Sequence, residues 1–215
     1  NFGLSLALSQ RAPSSAELFS FGPHIGTNTF EVGAVFALEQ EGDETHVELA
    51  PQAPELETAY SVDLTWRKFA GDFGFVVSTF YNHIEDYYYQ QDTGLLFADQ
   101  HDEDELAADT HEDGLPILLY QQGNVEMYGL EAEFVYQIAS PLKATLFGDY
   151  INAKLSNGGH LPRTPPMRIG STLHYQADNY DGKLSVNHYF AQNDIAPLEA
   201  STSGYTLVDV NYNYY

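Results

Sequence analysis

The feature that most constrains this chain is a two-residue alternation of apolar and polar side chains in short segments. Every second residue is apolar from Phe2 to Leu8 and again from Tyr60 to Trp66. Successive side chains of a β-strand point to opposite faces, so each segment would have one apolar and one polar face. The links between segments are alternately short and long. Together these features predict an all-β, antiparallel transmembrane β-barrel.

The alternation predicts about eight strands in the barrel wall. They cover residues 1–10, 56–66, 73–89, 120–138, 142–152, 167–176, 183–190 and 205–214. Short links are expected at 67–72, 139–141 and 177–182, and long links at 11–54, 90–119, 153–166 and 191–203. Inside the first long link, residues 29–38 also alternate, and we expect them to form a hairpin with residues near 45–49. Residues 1–215 would then be part of one barrel domain.

One face of these strands is predicted to contact lipid. Its members are Leu4, Leu6, Val62, Leu64, Leu130, Phe134, Val186, Val208 and Val210. The chain contains 16 Tyr and 13 Phe, and many of them fall near strand ends. Rings with an apolar body and a polar tip favour membrane interfaces, which suits aromatic girdles, although Tyr also has a high strand propensity of its own.

The charge balance excludes one class of partner. Thirty-one acidic residues face eight basic ones, so a nucleic acid would be repelled. The chain has no Cys, which excludes disulfides and thiolate metal sites. It has no run of 18 apolar residues, which excludes a membrane-spanning helix but not a spanning strand.

The densest concentration of metal-ligand side chains lies in the second long link. Residues 99–113 contain eight carboxylates and two imidazoles, and no Lys or Arg occurs from Phe69 to Leu142. Imidazole nitrogen combined with carboxylate oxygen suits zinc and related divalent cations. The candidate ligands are His101, Asp102, Glu103, Asp104, His111, Glu112 and Asp113, with His24 and His46 as possible additions from the first long link. The alternative is that this loop is only a solvated acidic surface.

Several motifs resemble a known family. The run from Arg11 to His24 reads R-A-P-S-S-A-E-L-F-S-F-G-P-H and is followed by T-F-E-V-G from Thr29. This is similar to the barrel of TonB-dependent outer-membrane receptors. The segments 80–87, 161–168 and 190–193 are most similar to the ZnuD-type zinc-uptake branch of that family.

The resemblance implies a large plugged barrel in the bacterial outer membrane that is driven by the TonB complex. It also implies contacts with lipid and lipopolysaccharide. The plug domain, the earlier strands and the last hairpin of that pattern are not expected within this sequence. No catalytic cofactor is expected, and zinc or another divalent metal would be the transported ligand.

Two function classes remain open at this point. The first is active uptake of a metal ion or metal complex, with zinc favoured and siderophore or haem also open. The second is a passive outer-membrane channel or a soluble all-β module whose acidic loops bind calcium. An enzyme is not expected, because the sequence has no G-x-S-x-G, H-E-x-x-H, P-loop or Gly-rich dinucleotide motif.

Overall fold

The structure is a computed structural model that describes residues 1–41, 44–97 and 114–215. Its elements are β1 (Phe2–Arg11), α1 (Ser15–Phe19), β2 (Phe21–His24), β3 (Thr29–Val32), β4 (Phe36–Glu41), β5 (Glu44–Leu49), β6 (Glu57–Lys68), β7 (Phe73–Phe97), β8 (Leu115–Ala139), β9 (Leu142–Leu155), β10 (Arg168–Ala177), β11 (Tyr180–Tyr189) and β12 (Tyr205–Tyr214). None of the helices in these described ranges is long and apolar enough to cross a membrane.

Eight of the strands form the expected wall. They are hydrogen-bonded in the order β1-β6-β7-β8-β9-β10-β11-β12. The pairs for which a register is resolved, β9 with β10, β10 with β11 and β11 with β12, are antiparallel. Chain neighbours therefore become sheet neighbours through hairpins, as the alternation of short and long links predicts. The predicted all-β antiparallel fold is confirmed.

The structure corrects three of the predicted boundaries. β7 continues to Phe97 and β8 begins at Leu115, so much of the predicted long link at 90–119 is strand. Residues 29–38 do not form one strand, because β3 ends at Val32 and β4 starts at Phe36. Only β4 pairs with β5 as predicted, while β3 pairs with β2. β11 begins at Tyr180 instead of residue 183, which leaves a tighter turn after β10.

Backbone contacts divide the chain into two compact units. We call Asn1–Leu8, Tyr60–His83 and Glu126–Tyr215 the wall unit, and Ser9–Ala59 with Ile84–Val125 the loop unit. The long strands β7 and β8 each contribute residues to both units.

The register of β9 to β12 separates an apolar from a polar face in the wall unit. Directly paired residues of antiparallel strands point to the same face. Val186 pairs with Val208, and Leu184 pairs with both Leu173 and Val210. On the opposite face Thr172 pairs with Thr145 and Ser185. The prediction that Val186, Val208 and Val210 share one face is therefore confirmed, whereas their contact with lipid stays a prediction.

Aromatic side chains cluster beside the short links of the wall unit. Trp66 stacks on Phe2 at 5.6 Å between ring centroids and meets the edge of Phe75 at 4.6 Å. Near the turn after β10, Tyr180 lies 5.3 Å from Tyr214. Such pairs fit an aromatic girdle, which needs rings at the level of the strand ends.

The loop unit has a hydrophobic core of its own. Phe30 and Val32 of β3 pack against Ile117 and Leu119 of β8, and all four are buried. β3 reaches them because it pairs with β8 in parallel, with Phe30 opposite Ile117. The first long link is therefore a folded layer held on β8.

Candidate functional site

The predicted acidic histidine site lies largely outside the described residues. This applies to His101, Asp102, Glu103, Asp104, His111, Glu112 and Asp113, which stay a prediction. Of the two possible additions, His24 ends β2 and its Nδ1 lies 3.0 Å from Oγ1 of Thr27. His46 lies on β5, opposite Glu39. Within residues 1–41, 44–97 and 114–215, no three or more His, Cys, Asp or Glu side chains form a metal-binding group.

The motif that begins at Arg11 folds into a charged network in the loop unit. Nη1 of Arg11 donates to both carboxylate oxygens of Glu17, at 3.0 and 2.8 Å. Nη2 of Arg11 donates to Glu57 at 2.6 Å. Both carboxylates are mostly buried, and charge-assisted bonds of this kind are among the stronger side-chain hydrogen bonds. Arg11 thus ties the end of β1 to both α1 and the start of β6.

Glu17 also closes a capping box at the start of α1. The backbone N–H of Ser14 donates to Glu17 at 2.7 Å, and the backbone N–H of Glu17 donates to Oγ of Ser14 at 3.2 Å. Burial by itself raises the pKa of Glu17, but the hydrogen bonds from Arg11 and Ser14 outweigh burial and the pKa lies below its usual value. Glu17 is therefore ionised at neutral pH and holds the helix to Arg11.

The close contact of Gly33 with α1 explains why the T-F-E-V-G segment ends in glycine. A Cβ on Gly33 would lie 2.2 Å from the carbonyl oxygen of Leu18, so no larger residue fits. The N–H groups of Gly33 and Ala34 donate to the carbonyls of Ser20 and Glu17. Carbonyls at the end of the short helix find partners in this way. The sequence motif therefore encodes one packed unit.

An amide clamp supports the same network. The side chain of Gln122 accepts from the N–H of Glu55 at 2.8 Å and donates to the carbonyls of Glu55 and Asp86 at 3.1 and 3.0 Å. The hydroxyl of buried Tyr88 donates to the same Glu55 carbonyl at 2.7 Å, and the Arg11 guanidinium lies 5.8 Å from the centre of the Tyr88 ring. These bonds hold Glu55, two residues before the start of β6, in place. No local pattern predicts these roles of Gln122 and Tyr88, because long-range pairing alone brings them together.

The polar face of the wall unit carries an acidic groove. A cavity of about 520 Å³ is lined there by Ser78, Phe80, Glu131, Glu133 and Asp149. Arg168 also lines it, and its Nε donates to Oδ1 of Asp149 at 2.8 Å. Glu131 and Glu133 are exposed, which agrees with the polar alternation of β8. A water-filled barrel interior would have this polarity whatever it transports.

A second cavity in the wall unit contains a histidine that the sequence did not single out. It measures about 180 Å³ and is lined by Asn152 of β9, by His160 and Thr164 of the following link, and by Gln192 and Asp194 of the link after β11. Nε2 of His160 lies 3.6 Å from Oδ1 of Asp194. The sequence alone gave His160 no partner, because Asp194 is 34 residues further along the chain.

Similarity to solved structures agrees with this architecture. The copper transporter OprC matches with a TM-score of 0.72 and 15% identity over 100% of this chain and 28% of its own. The siderophore receptor PirA from Acinetobacter baumannii matches with a TM-score of 0.63 and 14% identity over 99% of this chain and 32% of its own.

A third match is the ferric yersiniabactin uptake receptor FyuA from Yersinia pestis. Its TM-score is 0.56 and its identity 15%, over 98% of this chain and 27% of its own. At these identities the similarity shows a shared fold. The chain spans about a third or less of the length of each of these receptors.

The family comparison covers almost the whole chain. The model for "TonB dependent receptor-like, beta-barrel" matches residues 2–215. The Arg11 network, the Gly33 contact and the eight-stranded wall thus lie within one matched region. The chain belongs to the TonB-dependent receptor β-barrel family.

Proposed function

We propose that this chain forms part of an outer-membrane receptor that imports a divalent metal ion or metal complex with energy supplied through TonB. Zinc is the favoured cargo. The observation that carries the metal proposal is the loop at 99–113, in which two histidines stand among eight carboxylates without a basic residue. Support also comes from the family, whose members are transporters, and from related structures named for copper and iron-siderophore uptake.

The zinc assignment follows from ligand chemistry. Zinc accepts imidazole nitrogen and carboxylate oxygen, whereas calcium takes oxygen ligands almost exclusively. The excess of negative charge on the chain would also concentrate cations near the loop. The similarity of residues 80–87, 161–168 and 190–193 to the ZnuD-type branch points in the same direction.

Calorimetric titration of the intact receptor with zinc and calcium tests the loop. Replacing His101 and His111 by Ala should weaken zinc binding at least about tenfold and leave calcium binding unchanged, because all eight carboxylates remain. The matched control replaces two strand histidines, His83 and His188, by Gln. Zinc affinity should also fall as pH drops through about 6.5, since protons compete for imidazole nitrogen. Equal zinc affinity in the His101/His111 variant and the intact receptor would refute the loop site.

Transport itself needs a separate measurement. Cells that carry the receptor should accumulate radioactive zinc only when TonB is present, and a TonB-deletion strain is the control. Uptake that persists without TonB would instead indicate a passive channel.

The proposed orientation places the long links outside the cell, where they would meet lipopolysaccharide, and the short links in the periplasm. Protease added to intact cells should cut within residues 100–113 and spare the turn at Asp178. Cleavage at Asp178 alone would indicate the opposite orientation.

A further inference from the structure

The second cavity of the wall unit contains a buried polar atom whose partner is missing from the described chain. Asn152 is only 5% exposed, and its Oδ1 has no hydrogen-bond partner in residues 1–41, 44–97 and 114–215. An unsatisfied buried acceptor costs about 1–3 kcal/mol, so such atoms usually have an ion, a water or a ligand beside them. Asn152 lines the cavity directly.

Two polar side chains in the cavity wall, Gln192 and Thr164, already have partners. Nε2 of Gln192 donates to the carbonyl of Thr164 at 2.6 Å, and its Oε1 accepts from the N–H of Asp194 at 3.2 Å. The hydroxyl of Thr164 donates to the carbonyl of Leu161 at 2.9 Å. Among the other polar side chains that line the cavity, His160, Asp194 and Asn152 offer an imidazole nitrogen, a carboxylate oxygen and an amide oxygen.

The distance between the His160 and Asp194 side chains distinguishes a direct hydrogen bond from a shared metal ion. At 3.6 Å, Nε2 of His160 and Oδ1 of Asp194 are too far apart for a direct hydrogen bond. Two ligands of one tetrahedral zinc, at bond lengths of about 2.0–2.2 Å, lie about 3.4 Å from each other. The pair therefore stands at a distance that suits a shared metal ion.

The two links that carry these residues are tied together independently of the pair. Besides the bond from Gln192 to Thr164, the N–H of Arg163 donates to Oε1 of Glu199 at 2.6 Å. Oε2 of Glu199 accepts from the N–H of Ala196 at 2.9 Å. These bonds hold the cavity open before a ligand arrives, which lowers the entropy cost of binding.

We propose that Nε2 of His160, a carboxylate oxygen of Asp194 and Oδ1 of Asn152 bind a partly hydrated divalent transition-metal ion such as zinc or cobalt. One nitrogen and two oxygen ligands suit zinc, cobalt or nickel better than calcium or magnesium. A cavity of about 180 Å³ leaves room for the ion and several waters, each of which occupies about 30 Å³. None of the three ligands belongs to residues 99–113, and the proposal does not depend on that loop or on transport.

Cobalt binding to the full receptor tests the site, because the visible absorption of Co²⁺ reports its ligands. The background is the His101→Ala/His111→Ala variant, which removes the loop histidines. We expect one cobalt per receptor in this background. His160→Gln and Asp194→Asn should each weaken binding at least about tenfold, whereas the matched control Asp178→Asn, at an exposed turn residue, should not.

Asn152→Asp keeps the shape of the side chain and adds a negative charge. It should strengthen cobalt binding by about tenfold and shift the absorption spectrum. Heat-modifiability of the barrel on a gel confirms that each variant is folded. Undiminished binding in folded His160→Gln, or an unchanged affinity and spectrum in folded Asn152→Asp, would overturn the proposal. If the receptor binds cobalt at this site but cells that carry it show no TonB-dependent zinc uptake, the transport proposal alone is refuted.

Discussion

The two halves of β8 expose their apolar side chains in opposite ways. In the wall unit, Tyr128, Leu130 and Tyr136 are 45–51% exposed. In the loop unit, Ile117 is 0%, Leu119 8% and Val125 0% exposed. The strand is continuous from Leu115 to Ala139, so the difference does not come from its backbone conformation.

The difference shows what surrounds the apolar side chains of each half of β8. Ile117 and Leu119 are covered by β3, whose Phe30 and Val32 belong to the first long link. Leu130 has no such cover in the described chain, as expected for a side chain whose surroundings are hydrocarbon rather than protein. We therefore expect the protein-covered half to lie outside the membrane and the exposed half to lie within it.

Removing side-chain volume from the protein-covered half should have the largest effect. Ile117→Ala is expected to destabilise the packing of β3 on β8 by about 2–5 kcal/mol, because it leaves a cavity in a closed cluster. Leu130→Ala, the matched change in the exposed half, should cost under about 1 kcal/mol, since lipid can fill the space. Amide hydrogen exchange of residues 29–32 measures the first, and urea unfolding in bilayers the second. Equal costs at the two sites would contradict the comparison.

Introducing a charge on the exposed apolar face of the wall unit should have the next largest effect. Leu64→Arg on β6 is expected to cost about 2–4 kcal/mol if it lies near the bilayer midplane. Thr65→Arg places the same charge on the opposite face of the same strand and should cost much less. Reversible unfolding of the receptor in lipid vesicles measures both. A similar penalty for the two variants would mean that the apolar face does not contact lipid.

Loss of the Arg11 network should have a smaller effect, confined to the loop unit. Arg11→Met keeps much of the side-chain volume but leaves Glu17 and Glu57 without their shared partner, at a cost of about 1–3 kcal/mol. Arg67→Met, at an arginine whose guanidinium lies only 6.0 Å from the Phe69 ring, is the control and should cost under about 1 kcal/mol. Proteolysis within residues 12–33 should accelerate in Arg11→Met alone. Unchanged cleavage would show that the network does not hold the link.

The same two regions differ in how well their strands can be predicted from the sequence. Alternation located the wall strands, and β12 runs from Tyr205 to Tyr214 as predicted, because one face of each must differ from the other. Residues 90–94 read Q-Q-D-T-G and contain no apolar side chain, whereas residues 115–119 read L-P-I-L-L and are apolar throughout. Neither run alternates, so the sequence predicts a loop where the structure has the end of β7 and the start of β8.

Contacts between residues far apart in the sequence are harder to predict. The motif containing Arg11 and Glu17 was visible in the sequence, whereas their bond to Glu57 depends on the pairing of β1 with β6. His160 and Asp194 meet only because two separate links fold against each other. Local patterns carry no information about such pairs.

The smallest expected effect is a loosening of α1 in acid. The pKa of Glu17 is lowered in the folded chain, so its contribution to stability is complete at neutral pH and is lost as pH falls through that lowered pKa. Between pH 7 and about pH 3, protection of residues 14–20 from hydrogen exchange, corrected for intrinsic rates, should fall by less than about fivefold, as a partly exposed ion pair implies.

The control variant is Glu17→Gln. At pH 7 its residues 14–20 should be less protected than in the unchanged protein, and their protection should change less over the same pH range. A fall of equal size in both proteins would show that Glu17 does not cause it.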